Sequence, residues 1–302
     1  MPNFAIFRYT MSNSEGEEID HSHHLAEFDN IKGKKAPYRV RDPEKNDEKH
    51  FVFDISDSKL SGLDYFSFGV GYQITERLER QLNPRTEKIS PVYRDANDMR
   101  YTRAVFVPAY GVCAFRDGSG DDLSATGGAG RVRAIFEHHG EIAFDYIATA
   151  NRNDVSKALK KLRLIELTFE VRPFNPHPSV PGDELHKLLS IAKVDKFTGK
   201  ARPADGGHMV PDSGGLVSEV DGLTQKSYGH LGLKATTSEG AEVVYKKKKL
   251  QGDREKDQAA EERPQVLFVS VEKMGSDEAE ELQIVRALRE LFESDETAAD
   301  TA

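Results

Sequence analysis

Thr102-Arg103-Ala104-Val105-Phe106-Val107-Pro108-Ala109-Tyr110-Gly111-Val112-Cys113-Ala114-Phe115-Arg116 is the stretch that decides the class of this fold. Two short apolar runs, Ala104 to Val107 and Val112 to Phe115, flank Pro108-Ala109-Tyr110-Gly111. Proline pre-sets one backbone angle and glycine tolerates the angles that others avoid, so this set turns the chain. Apolar run, turn, apolar run predicts an antiparallel hairpin.

The same grammar recurs on both sides. Arg131 to Phe136 and Ile142 to Thr149, around His138-His139-Gly140, predict a second hairpin. His230 to Thr236 and Ala241 to Lys247, around Ser238-Glu239-Gly240, predict a third. Phe4 to Tyr9, Phe51 to Ile55 and Val266 to Val271 read as strands, as does Tyr65 to Tyr72, whose glycines suit close backbone approach. Ile165 to Val171 alternates apolar with polar residues, so one face is buried and the other wet. Helices are expected from Ile74 to Leu82, after Asp154, after Asp183, and from Glu278 to Phe292. In the third of these, Leu185, Leu188, Leu189 and Ala192 are expected to face inward. Ser12 to Asp47 reads as a long polar loop and Asp117 to Gly130 as a flexible Gly/Ser/Asp loop. Phe197 to Gly222 reads as a mobile Gly/Pro-rich segment, Gly252 to Arg263 as a charged linker and Ser294 onward as frayed.

Strands adjoin strands more often than they alternate with helices. The expected class is therefore α+β, largely antiparallel β-hairpins with a few packing helices, in two subdomains that part near residue 150. Residues 1–150 form an N-terminal α+β subdomain with the polar loop 12–47. Residues 151–250 form a mildly basic α+β subdomain, and residues 251–302 an acidic linker with a C-terminal strand and helix.

Charge is unevenly distributed over the 302 residues, whose net charge is −9. Residues 1–150 carry 19 cations and 24 anions, residues 151–250 carry 17 and 12, and residues 251–302 carry 6 and 15. A basic middle before an acidic tail points to a polyanion partner. No apolar run approaches the roughly 18 residues of a membrane-spanning helix, and the first ten residues do not resemble a secretory signal. Cys113 is the only cysteine, which excludes an intramolecular disulfide and a cysteine-based zinc site. A cytoplasmic setting is expected.

Several groups are candidates for chemistry. His21, His23 and His24 form the first; a His-x-His pair on an extended strand would offer half of a metal site, with Asp20 and Glu27 nearby. A metal-dependent nuclease or toxin would use them, with a divalent metal as cofactor; otherwise no cofactor is expected. Carboxylates for a nuclease-type set are Glu137, Glu141, Asp145, Glu166 and Glu170. Gly127-Gly128-Ala129-Gly130 lacks the Lys-Ser/Thr of a phosphate-binding loop and reads as loop. No nucleophile elbow is present, and Cys113 sits in an apolar strand where packing is the default. Whether the chain is an enzyme is left open, leaning toward not.

Cations are the stronger candidates. Lys157, Lys160, Lys161 and Arg163 crowd the outer surface of the helix after Asp154, and Lys246, Lys247, Lys248 and Lys249 close the third hairpin. Cations on ordered elements displace counterions from nucleic-acid phosphates.

Asp154 to Pro176, a Leu/Lys-rich helix running into Ile165-Glu166-Leu167-Thr168-Phe169-Glu170-Val171 and a Pro/Asn exit, resembles a loose group of prokaryotic anti-phage proteins. That group includes the B protein of Kiwa systems and the A protein of the lambda Rex exclusion system. Ala104 to Phe115 is similar to their central hairpin and Gly229 to Tyr245 to their later one. The resemblance covers residues 100–250 in layout and brings no catalytic motif. It implies an intracellular role against phage, DNA binding by the basic half, and a homodimer, a defence-system partner subunit or a membrane-associated partner. The expected function is a nucleic-acid-binding component of a prokaryotic anti-phage defence system, with two alternatives: the metal-dependent nuclease or toxin using His21, His23 and His24, and a protein-interaction subunit of a defence complex that senses a phage protein.

Overall fold

Alternating and periodic apolar residues build twelve strands and five α-helices among the described residues of a computed structural model. The structure describes residues 1–37, 49–83, 88–118, 123–140, 142–148, 160–172, 184–204, 207–209, 215–225, 229–247 and 265–293. The class is α+β, dominated by antiparallel sheet. Among the described residues no helix is long and apolar enough to cross a membrane. Contacts divide the chain into two compact units, Tyr9–Tyr146 and Met1–Arg8 with Ile147–Ala302.

In the Tyr9–Tyr146 unit, β2 (Ala36–Pro37), β3 (Lys49–Leu60), β4 (Leu63–Asn83), β5 (Lys88–Val107) and β6 (Val112–Arg116) form an antiparallel ladder in that order. The second half of β1 (Asn3–Ser12) lies beside β6, and β7 (Ala143–Ala148) pairs with β1. The hairpin of Thr102–Arg116 is present, with a 3₁₀ turn at Pro108–Tyr110 and Gly111 in the left-handed region that its φ of 59° requires. Helix α1 (His24–Ile31) drives Phe28 into the centre of the core. Its ring lies 4.8 Å from Phe68, 5.0 Å from Phe106 and Phe136, and 5.1 Å from Phe66. The expected loop of residues 12–47 thus contains a helix, and its residues 38–48 lie outside the described residues.

Three further expectations fail in this unit. Arg131 to Phe136 is not a strand; it belongs to α2 (Ala125–His139), and the loop reading of Gly127 to Gly130 fails with it. Ser124 caps this helix by accepting the Gly127 N–H at 3.1 Å. Ala125, Ala129, Val132 and Phe136 then recur at helical spacing and are buried. Gly128 faces the sheet, where a Cβ would collide with Thr102 Cγ2 and stand 3.0 Å from Phe115 Cδ1. The glycine is present for close helix–sheet approach. Likewise Ile74 to Leu82 is strand, within β4. Leu78 and Leu82 are four apart, which is an even number, so the spacing also suits one face of a strand; they stand opposite Tyr93 and Ile89.

In the other unit the first half of β1 pairs with β12 (Gln265–Ser270). The order continues through β11 (Glu242–Lys247), β10 (Gly229–Thr236), β8 (Arg163–Val171) and β9 (Phe197–Ala201), all antiparallel. Helices α3 (Glu184–Ile191) and α4 (Leu216–Gln225) pack together, and α4 packs on β8 and β10. Helix α5 (Asp277–Phe292) buries Ile284, Val285, Leu288 and Leu291, and its Ser276 cap accepts from Ala279 N–H. The segment expected to be mobile, 197–222, holds β9 and the start of α4. Of the α3 residues expected to face inward, Leu189 is buried, Leu185 half-buried, and Leu188 and Ala192 exposed.

Candidate nucleic-acid interface

Strand β8 sets the chemistry of the site through its alternation. Leu167, Phe169 and Val171 are buried, while Glu166, Thr168 and Glu170 occupy the opposite face. The antiparallel register sets Thr168 against Lys200 and Glu170 against Thr198 of β9. Lys196, Lys200 and Arg202 are separated by even numbers, so all three fall on the face of the glutamates. Glu166 holds Lys200 at 2.8 Å and the Arg202 guanidinium at 2.8 and 2.9 Å. Glu170 holds Lys196 at 2.8 Å and lies 3.6 Å from Arg172. Hydrogen bonds from Lys200 and Arg202 hold the Glu166 carboxyl below its ordinary range, and the Lys196 bond does the same for Glu170. Across the third hairpin, Lys234 pairs with Glu242 at 2.5 Å.

The expected phosphate-binding cations fall into three groups. Lys160 and Arg163 are exposed where the chain enters β8, and neither side chain forms a hydrogen bond or ion pair among the described residues. Lys161 is half-buried and donates to the Glu293 carbonyl at the end of α5, where unpaired helix carbonyls await a donor. Lys246 and Lys247 belong to β11, opposite Val266 and Gln265. Lys157, Lys248 and Lys249 lie outside the described residues. Arg163 stands opposite Thr236, which stands opposite Glu242. Two strand spacings and four residues of rise therefore separate Arg163 from Lys246, about 16 Å between Cα atoms. Between them lies β10, whose Lys234 pairs with Glu242. The sequence reading missed Lys196, Lys200 and Arg202, whose even spacing was the available signal.

The three histidines do not share an extended strand. His21 and His23 form a 3₁₀ turn, capped by Asp20, whose Oδ1 accepts the Ser22 N–H at 2.9 Å. The Ser22 hydroxyl and amide bonds lower the Asp20 pKa. His24 opens α1 and is buried, its Nδ1 3.0 Å from the Tyr9 hydroxyl and its Nε2 3.0 Å from the Ile19 carbonyl. A carbonyl can only accept, so Nε2 carries the proton and Nδ1 accepts from Tyr9. Burial lowers the His24 pKa and raises that of Tyr9. His23 and Glu27 border a cleft of about 610 Å³ together with Asn30, Lys34 and His139. Among the described residues no three His, Cys, Asp or Glu side chains are grouped to hold a metal ion. Of the carboxylates, Glu137 and Asp145 share Arg133, at 2.8 and 3.4 Å, and Glu141 lies outside the described residues. Cys113 is buried, and burial raises its thiol pKa.

No protein-family model matches the chain, and a search of curated proteins returns no match.

Proposed function

We propose that this chain is the nucleic-acid-binding component of a cytoplasmic anti-phage defence system, acting by contact rather than by catalysis. One contrast supports the reading most. Lys196, Lys200, Arg202 and Lys234 are each held by a carboxylate, whereas Lys160 and Arg163 are exposed with no ion pair among the described residues. A cation already neutralised gains little from a phosphate, while an unpaired one releases a condensed counterion for each phosphate it meets. Lys160 and Arg163 form one contact cluster in this reading, and the run Lys246 to Lys249 forms the second. The defence role, the preference for DNA, the two-subdomain organisation and a partner subunit or homodimer enter through the resemblance of residues 100–250 and the charge pattern.

The test is an anisotropy titration with duplex and single-stranded DNA and RNA across a salt series. Replacing Lys160 and Arg163 with Gln should flatten the log K against log salt slope by roughly 1.4 to 1.8, the share of two phosphate contacts. Lys200→Gln should leave the slope unchanged. Binding indifferent to salt, or intact after neutralising both clusters, removes the proposal. Plating of phage on cells that carry the chain or the variant tests the defence role separately.

A further inference from the structure

Strand β9 closes the sheet order of its unit, and among the described residues no strand pairs with its outer side. Its five residues contain neither proline nor bulge, so the backbone can accept a further strand. We propose that this edge docks an extended protein segment in which apolar and acidic side chains alternate. The proposal is independent of phosphate binding by Lys160 and Arg163.

The two faces of β9 dictate that pattern. Phe197, Gly199 and Ala201 stand opposite Val171, Phe169 and Leu167, on the apolar face. The Phe169 ring covers Gly199, where a Cβ would collide with it, and lies 5.6 Å from the Phe197 ring. Phe197 nevertheless remains 38% exposed. Beside it in sequence, α3 exposes Leu188 by 64% and Ile191 by 80%, and α4 begins with Leu216 at 43%. Four of the seven exposed large apolar side chains among the described residues thus fall within residues 188–216.

The other face is basic. Lys196, Lys200 and Arg202 share two carboxylates, Glu166 and Glu170, so positive charge is in surplus even where every cation is bonded. Lys193 and Asp195, both exposed, precede the strand in sequence. A strand added to β9 alternates its side chains over the same two faces. Its apolar residues would meet Phe197 and Ala201, and its polar residues would meet three cations that share only two carboxylates, which disfavours Lys or Arg there and favours acidic side chains. A second copy of β9 is excluded by the same charges, since a two-fold pairing about Gly199 sets Lys196 against Arg202. A nucleic acid has no peptide groups with which to extend the ladder.

The experiment uses the full chain and a labelled peptide of roughly eight residues, the reach of one strand, alternating Val and Glu. Anisotropy should show binding, and a peptide of the same composition with two prolines, or with Lys in place of Glu, should bind at least about tenfold more weakly. Lys196→Glu with Lys200→Glu should reverse the preference, losing the Glu peptide and gaining the Lys peptide. Phe197→Ser should weaken binding without altering charge. Hydrogen exchange on the unaltered chain should slow at amides within Phe197–Ala201 when the Glu peptide is added, a readout that stands if a variant fails to fold. Equal affinity for the proline peptide, protection elsewhere, or protection of this edge by a single-stranded oligonucleotide but not by the peptide overturns the proposal.

Discussion

The Nε–H of Arg131 donates to Nδ1 of His50 across 2.9 Å, so a permanent cation and an imidazole share a corner of the Tyr9–Tyr146 unit. The guanidinium also donates to the Gly127 carbonyl at 2.8 Å and lies over the Tyr72 ring at 5.7 Å from its centre. A ring nitrogen that accepts a hydrogen bond carries no proton, so this arrangement needs neutral His50. Burial, and then the charge of Arg131, lower its pKa from 6.5 to about 3. Sequence inspection did not single out either residue.

Stability should therefore fall with acid. Between pH 6.5 and about 3 the unfolded chain binds a proton at His50 that the folded chain refuses. The contribution is whole above pH 6.5 and declines below it by about 1.4 kcal/mol for each pH unit. His24, lowered by burial, acts in the same direction. Urea unfolding at a series of pH values should show a shallower acid loss for His50→Gln, which keeps an acceptor for Arg131 but does not titrate. Identical pH slopes for the two proteins would refute the assignment.

Glycine substitutions should act in opposite directions at two helical positions. In an open helix interior, Gly→Ala gains about 1 kcal/mol. Gly222 in α4 has nothing within 4 Å of a new Cβ, so Gly222→Ala should raise stability by that amount. Gly128 faces Thr102 and Phe115, so Gly128→Ala should instead cost about 1–3 kcal/mol through overpacking. Denaturant midpoints of the two variants decide; a stabilised Gly128→Ala would mean that α2 does not approach the sheet so closely.

Removing the β8 carboxylates should make the sheet face more attractive to polyanions. Glu166→Gln with Glu170→Gln releases Lys196, Lys200 and Arg202 from their partners. Oligonucleotide affinity should rise at low salt, and the salt slope should steepen by roughly 0.7 to 0.9 for each cation that then meets a phosphate. An unchanged slope would show that phosphates do not reach this face.

How far the chain could be read without its structure depended on how local the signal was. Ile165 to Val171 alternates cleanly, and Glu278 to Phe292 repeats at helical spacing, so both emerged with the correct type. The segment from Ala125 was misread because glycines suggested a loop, although Ala125, Ala129, Val132 and Phe136 carry the helical period. Ile74 to Leu82 was misread because an interval of four satisfies helix and strand alike. In the candidate site, Lys160 and Arg163 are exposed, but Arg163 opens β8 and is not on the helix expected after Asp154, because the alternation of β8 begins at it. The pairing of Lys161 with α5 could not be foreseen, because its partner carbonyl is 132 residues away.

Alternation, helical period and turn chemistry by themselves determined that this chain is α+β with antiparallel hairpins, because each acts over a few neighbouring residues. Tertiary structure alone decided which charges meet. Register between strands far apart in sequence brought Lys200 and Arg202 to Glu166 and left Arg163 exposed. An ion pair is made by proximity in space, and composition along the chain contains no record of that proximity.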